Sequence, residues 1–182
     1  ACEMIWLLEH NPIFTAGTSA KPEDLINSNV NFLYTGRGGQ WTWHGPGQRV
    51  VYLMLNLKNR LQDVKAYVYA LEELIILTLE DFYVNGARIN GHPGVWVKSN
   101  NGCEKIAALG IRISSWITFH GISINVNPNL DEFNNIVPCG ITNSGVTSFY
   151  KLGKKISLIE LDFSLKKNFN KVFGNESLFK VK

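Results

Sequence analysis

At 182 residues and 45% hydrophobic content, the chain has the size and apolar fraction of one domain with a continuous core. Lys and Arg total 18 against 15 for Asp and Glu, a balance of +3 too small and too dispersed to mark a nucleic-acid surface, though it mildly favours an acidic protein partner. No run reaches the roughly 20 apolar residues that cross a bilayer, and Cys2, Cys103 and Cys139 show neither a CxxC pair nor the spacing of a disulfide-stapled secreted fold, so a soluble protein of a reducing compartment is expected.

The chain opens Ala1-Cys2-Glu3 without an initiator Met, and upstream residues are expected. Met4 to Leu8 reads as a strand that enters a loop at Glu9 to Pro12. A weak strand around Phe32 and Leu33 precedes Gly36-Arg37-Gly38-Gly39, whose glycines leave little side chain to pack. Arg49 to Leu57 has the length and β-branched content of a buried strand. Asp63 caps a predicted helix whose apolar positions Val64, Tyr67, Val68, Leu71, Leu74, Ile75 and Leu79 recur at helical spacing, although the same helix carries Glu72, Glu73, Glu80 and Asp81.

Val95 to Lys98 and Glu104 to Ile113 read as strands joined at Ser99-Asn100-Asn101-Gly102, because Asn-Gly tolerates the positive φ of hairpin turns. Trp116 to Val126 supplies another strand, with Ile122, Ile124 and Val126 on one face and Gly121, Ser123 and Asn125 on the other. Leu130 to Phe133 forms a short predicted helix. Leu158 to Phe173 forms a longer one, packed by Leu158, Leu161, Leu165, Phe169 and Val172, and the tail beyond Gly174 is the least constrained segment. A mixed, largely antiparallel sheet flanked by helices follows, in the α/β class.

The densest unusual segment is Arg37-Gly38-Gly39-Gln40-Trp41-Thr42-Trp43-His44-Gly45-Pro46-Gly47-Gln48, a poor composition for a core element. Arg37, Gln40, Thr42 and His44 concentrate polar chemistry among glycines that let backbone approach a ligand, although an ordinary Gly-rich hairpin has the same appearance. The segment is neither GxxxxGK followed by Ser or Thr nor GxGxxG, so it is not a phosphate cradle.

Cys139 stands between Pro138 and Gly140, which suits a thiol held at the mouth of a pocket, while a lone cysteine is also a common small core residue. Lys105 enters the strand Ile106-Ala107-Ala108-Leu109-Gly110, where it either loses hydration and becomes a usable base or snorkels to water. His44, His92 and His120 show no short metal-binding spacing, which ranks zinc below cysteine chemistry, and His120 reads equally as a pocket residue or a satisfied histidine.

Taken jointly, Leu8-Glu9-His10-Asn11-Pro12 with Phe14-Thr15-Ala16-Gly17, the Arg37 to Gln48 stretch, Lys105 to Gly110, and Pro138-Cys139-Gly140-Ile141 followed by Gly145-Val146-Thr147-Ser148 resemble the lipoyl(octanoyl) transferase family in order and spacing over most of the chain. The resemblance implies a biotin/lipoate protein ligase-like catalytic domain over 1–182, with the family's opening strand and helix largely missing before Ala1. It implies that Cys139 accepts the acyl group and that Lys105 is its catalytic partner. Arg37, Gly38, Gly39, Gln40, Thr42, His44, Gly45, Ala107, Ala108, Leu109, Gly110, His120, Gly121 and Gly140 are the implied acyl-binding positions, with backbone N–H groups near Cys139 and in the Gly38-Gly39 turn stabilising the developing oxyanion. Trp41 and Trp43 are bulkier than that family's usual residues, which bears on pocket width.

The implied donor is octanoyl-acyl carrier protein. The implied acceptors are lipoyl domains of 2-oxoacid dehydrogenase complexes and the glycine cleavage H protein. No cofactor, metal, nucleic acid or membrane is called for, and a cytoplasmic monomer is expected. ATP-dependent lipoate ligation is the competing enzymatic reading, disfavoured because a ligase does not need the Pro-Cys-Gly-Ile nucleophile. A noncatalytic acyl-carrier or lipoyl-domain binding module would leave Cys139 and Lys105 without a role beyond packing.

Overall fold

The computed structural model describes residues 3–99, 102–137 and 145–174, together with the backbone of Phe179–Val181. Cys2, Pro138, Cys139, Gly140 and Ile141 lie outside the described residues.

A seven-stranded sheet runs in the order β10 (Phe179–Val181), β1 (Met4–Leu8), β5 (Gln48–Met54), β9 (Ile117–Asn125), β8 (Gly102–Ser114), β7 (His92–Ser99), β6 (Gly86–Ile89). Only the β1–β10 pair is parallel, so the expected mixed, largely antiparallel sheet is present. A second, three-stranded sheet has β2 (Ile13–Ala16) between β3 (Phe32–Tyr34) and β4 (Trp41–His44).

Two helices cover one face of the large sheet. Helix α1 (Val64–Glu80) begins where Asp63 accepts from Lys65 N and Ala66 N, and α2 (Leu158–Phe173) begins at a reciprocal Ser157–Glu160 capping box. Leu71, Leu74, Ile75 and Leu79 of α1 and Leu161, Leu165 and Phe169 of α2 meet Val51, Leu53, Ile122 and Ile124 of the sheet in one core. Asp81, just past α1, accepts from Ser164 Oγ, Lys167 Nζ and Asn168 Nδ2, which fixes the two helices end to side. Val64 departs from the expected apolar face, being 46% exposed in the first turn of the helix.

Three further expectations need correction. The tail contributes β10, because Phe179–Val181 finds the free edge of β1. Trp116 does not begin a strand. With φ of 50° and 66°, Ser115 and Trp116 form the two-residue turn between β8 and β9 that positive φ at both positions permits. The Arg37 to Gln48 stretch does supply a core element, because Trp41 and Trp43 of β4 are 3% and 2% exposed in a second apolar cluster with Phe14, Phe133 and Ile136. Trp43 packs edge-on to Phe133, so its bulk is taken up in that cluster.

The opposite face of the large sheet is lined differently, because side chains alternate along a strand. Val51 and Leu53 face the helices, whereas Val50 and Tyr52 line a cavity, as do Gly121 and Ser123 between core positions of β9. On β8 the alternation is broken. Val95 pairs with Ala107 and Trp96 with Lys105, so Ile106 is an extra residue, and both Ile106 and Ala107 join the helix-side core. This bulge returns both Lys105 and Ala108 to the cavity side, although three positions of unbroken alternation would put them on opposite faces.

Candidate active site

A cavity of about 600 Å³ lies between the cavity face of the large sheet and the segments leading into β4. Its size is that of a small-molecule site. Arg37, Gly38, Gly39, Gln40, Thr42 and His44 line it from one side, and Lys105, Ala108, Leu109, Gly110, His120 and Gly121 from the other. Two implied binding positions lie elsewhere. Ala107 is packed into the helix-side core by the bulge, and Gly45 sits against the Trp43 ring, where an added Cβ would stand 2.3 Å from ring carbons. Cys139 and Gly140 are outside the described residues. Cys103 is an exposed thiol on β8.

Arg37 is 8% exposed, and its guanidinium donates to Thr15 Oγ1, Thr15 O and Gly38 O. It thereby ties the glycine turn to β2 and holds a positive charge beside the cavity. Gly38 N donates to Ile111 O at 2.9 Å, so that N–H is committed to structure and is not a free oxyanion donor. Gly39, at φ 86°, makes the turn that only glycine adopts easily. Close packing continues behind it, since a Cβ on Gly17 would lie 2.2 Å from Gly39 O.

Lys105 is 6% exposed rather than extended into water. Its Nζ donates to Pro93 O at 3.1 Å and lies 4.6 Å from the centroid of the Trp96 ring. Its backbone N and O pair with Gly145 O and Thr147 N, each at 2.9 Å. The segment that follows the Pro-Cys-Gly-Ile motif is therefore hydrogen-bonded directly to the lysine.

Residue types alone did not reveal the partners that orient this site. His10, Tyr52, His44 and His120 form a chain of ring contacts, with centroids 5.6 Å apart for His10 and His44, 5.9 Å for His10 and Tyr52, and 6.1 Å for Tyr52 and His120. His10 Nε2 and Tyr52 Oη are 2.7 Å apart. Gln48 Nε2 donates to Asn125 Oδ1 at 2.9 Å, which leaves Gln48 Oε1 to accept from His44 Nδ1 at 2.6 Å and makes Nε2 the acceptor nitrogen of His44. Asn125 Nδ2 in turn donates to Thr147 O. Only the alternation of β9 hinted at Asn125, and nothing local marked Tyr52.

Burial lowers His10, and burial followed by the Arg37 and Arg112 charges lowers His120. Burial takes His44 furthest, to about 4, with Arg37 and His10 adding to the effect against the Gln48 hydrogen bond. His44 is thus a neutral imidazole at neutral pH. Because its folded value lies below the unfolded one, the unfolded chain binds the proton first, and stability is lost as pH falls from about 6.5 towards 4. We expect His44→Gln to lose about 2 kcal/mol less stability than the unsubstituted protein between pH 7 and pH 4.5, allowing for hydration at the cavity edge. Equal losses in urea titrations at the two pH values would show that His44 is not held neutral by burial.

Among the described residues, no group of three or more His, Cys, Asp or Glu side chains is placed to hold a metal ion, and no helix is long and apolar enough to cross a membrane.

Comparison with known proteins places this geometry. Residues 2–170 match the family model of the lipoyl protein ligase A/B catalytic domain. An octanoyltransferase of Bradyrhizobium sp. (strain ORS 278) is 54% identical over 178 residues, covering 94% of this chain and 74% of that protein. An octanoyltransferase of Rhodospirillum rubrum is 51% identical over 176 residues, covering 96% and 82%. Among solved structures, the bipartite lipoate protein ligase of Thermoplasma acidophilum superposes with a TM-score of 0.76 at 13% identity, covering 99% of this chain and 73% of that one. A biotin protein ligase from Aquifex aeolicus superposes at 0.53 with 18% identity, covering 90% and 68%.

Proposed function

The chain belongs to the lipoyl protein ligase A/B catalytic domain family, and from that premise we infer that it is an octanoyltransferase that moves its acyl group through a thioester on Cys139. The observation that carries the transferase activity is identity above half, over nearly the whole chain, to octanoyltransferases. The covalent route and its residues are our reading, supported by the cavity that gathers the Arg37, Lys105, Ala108 to Gly110 and His120 segments.

In this reading the Cys139 thiol gives its proton to Lys105, and the resulting ammonium stabilises the thiolate. The thiolate attacks the donor thioester carbonyl, and the carrier sulfur leaves with the proton returned by the Lys105 ammonium. Neutral Lys105 then takes a proton from the acceptor ammonium, and the freed amine attacks the acyl-enzyme, forming the amide, releasing its second proton to solvent and regenerating the thiolate beside the Lys105 ammonium. Neutral imidazoles and apolar walls keep the cavity compatible with an acyl chain, and Arg37 and the polar turn face its carbonyl end.

The donor is an octanoyl-acyl carrier protein, and the acceptors are lysines of lipoyl domains of 2-oxoacid dehydrogenase complexes and of the glycine cleavage H protein. The excess of basic residues suits acidic carriers. A reducing cytoplasm fits the cysteine usage, and we read the enzyme as a monomer.

Enzyme mixed with octanoyl carrier protein alone, without ATP, is expected to gain one octanoyl mass on the Cys139 peptide and to pass it to a lipoyl domain added afterwards. Parallel double-reciprocal plots accompany that route. An adduct on Cys103, strictly sequential kinetics without an acyl-enzyme, or a requirement for ATP and free acid overturns it.

A further inference from the structure

Glu72 is out of place by the logic of its helix. It lies in α1 beside the core positions Leu71, Leu74 and Ile75, and it is only 7% exposed. Burying a carboxylate is costly unless it is paired and hydrogen-bonded. One oxygen faces Arg88 Nε at 3.2 Å. The other accepts from Gly94 N at 3.0 Å.

That second bond reaches Lys105 through a single peptide group. Gly94 N–H and Pro93 C=O belong to the same planar trans peptide, so they point in opposite directions. Glu72 holds the N–H from the helix side. The carbonyl is thereby aimed at Lys105, and Pro93 O accepts from Nζ at 3.1 Å. Gly94 has φ 123°, and a Cβ there would stand 2.7 Å from Ala107 O and 3.2 Å from Lys105 Cε, so the start of β7 is packed directly against the lysine stem.

Trp96 lies against the same lysine head. The residue is 2% exposed, Nζ of Lys105 lies 4.6 Å from its ring centroid, and its Nε1 donates to His92 O at 3.1 Å, tying the indole to the start of β7. A carbonyl oxygen and an indole face are both ligands for an ammonium. Among the described residues, the lysine head is therefore directed by the Pro93 carbonyl and the Trp96 ring, each of which is fixed by a further bond.

We propose that Glu72 and Trp96 are positioning residues for acyl transfer, with Glu72 acting through the Pro93–Gly94 peptide to set the direction of the Lys105 ammonium. The proposal rests on the reading of Lys105 as the partner of the acyl-accepting cysteine. A misplacement of about 1 Å can cost up to a hundredfold in rate.

The test is the kcat and KM of Glu72→Ala, Glu72→Gln, Trp96→Leu and Trp96→Phe with octanoyl carrier protein and a lipoyl domain, alongside methyl acetimidate labelling of Lys105 read by peptide mass. Glu72→Ala and Trp96→Leu are expected to lower kcat at least about tenfold with the donor KM changed less than about twofold. Trp96→Phe, which keeps an aromatic face, is expected to recover most of the loss, and labelling of Lys105 is expected to rise in both impaired variants. If Glu72→Ala fails to fold, Glu72→Leu removes the acceptor with most of the side-chain volume kept, whereas Glu72→Gln, whose amide oxygen still accepts from Gly94 N, is expected to keep most of the activity. Unchanged kcat and unchanged labelling in folded Glu72→Ala or Glu72→Leu and in Trp96→Leu overturn the proposal while leaving Lys105 in its role. Full activity of Lys105→Met instead overturns the reading on which the proposal rests.

Discussion

Lys105→Met is expected to lower octanoyl transfer by about a thousandfold, within the range for removing a positioned proton-transfer group, with little change in stability. The lysine stem packs against Gly94, and methionine keeps most of that contact while discarding the head that bonds Pro93 O and faces Trp96. Both half-reactions should slow, because in the proposed route the same nitrogen serves the thiolate and the incoming amine. Cys139→Ala, by contrast, should abolish the acyl-enzyme altogether. Single-turnover acylation followed by intact mass measures the first half-reaction, and transfer from a pre-acylated enzyme measures the second. Retention of more than a tenth of the unsubstituted rate in both would reduce Lys105 to a packing residue.

Gly121→Ala is expected to be among the most destabilising single changes in the sheet, costing about 3 kcal/mol, the upper end for overpacking. A Cβ there would stand 2.1 Å from Val51 O and 2.7 Å from Leu53 Cδ1. Val51 lies on β5, the neighbour to which β9 is paired, with Gly121 opposite Tyr52. A flexible side chain could turn aside, but a carbonyl within a sheet ladder cannot move without separating the strands. Tyr52 and His120 would shift with them, so the cavity should deform as well. A melting temperature lowered by roughly 10 °C in calorimetry is the expected result, and a shift below about 2 °C would contradict the packing. Ser123→Ala, two residues on and also at the cavity, is the control.

Short-range features were readable before any fold was known. Asp63 caps α1, both helices span the periodic segments, and Ile122 and Ile124 of β9 with Val126 just beyond it lie in the core, because capping and alternation are decided within a few residues. The family resemblance also pointed to the Arg37 to Gln40, Lys105 and His120 segments, which line one cavity, whereas local composition left Lys105 and His120 open between pocket and packing roles. The small sheet was mostly hidden. Its strands are three or four residues long and cohere only through partners distant in sequence, so Trp41 and Trp43 looked like pocket walls, whereas both pack into the second cluster and Trp41 lines the cavity as well.

Only tertiary pairing could decide which residues of β8 face the cavity. Alternation read from the sequence would place Lys105 and Ala107 on one face and Ala108 on the other. The single extra residue Ile106, set by pairing with β7, moves Ala107 into the core and brings Lys105 and Ala108 to the same side. The groups around the lysine arrive from outside its strand, with Glu72 on a helix, Pro93 and Trp96 on β7, and Gly145 and Thr147 beyond the Pro-Cys-Gly-Ile segment. No local pattern encodes such contacts, because each depends on two elements meeting at one point in space.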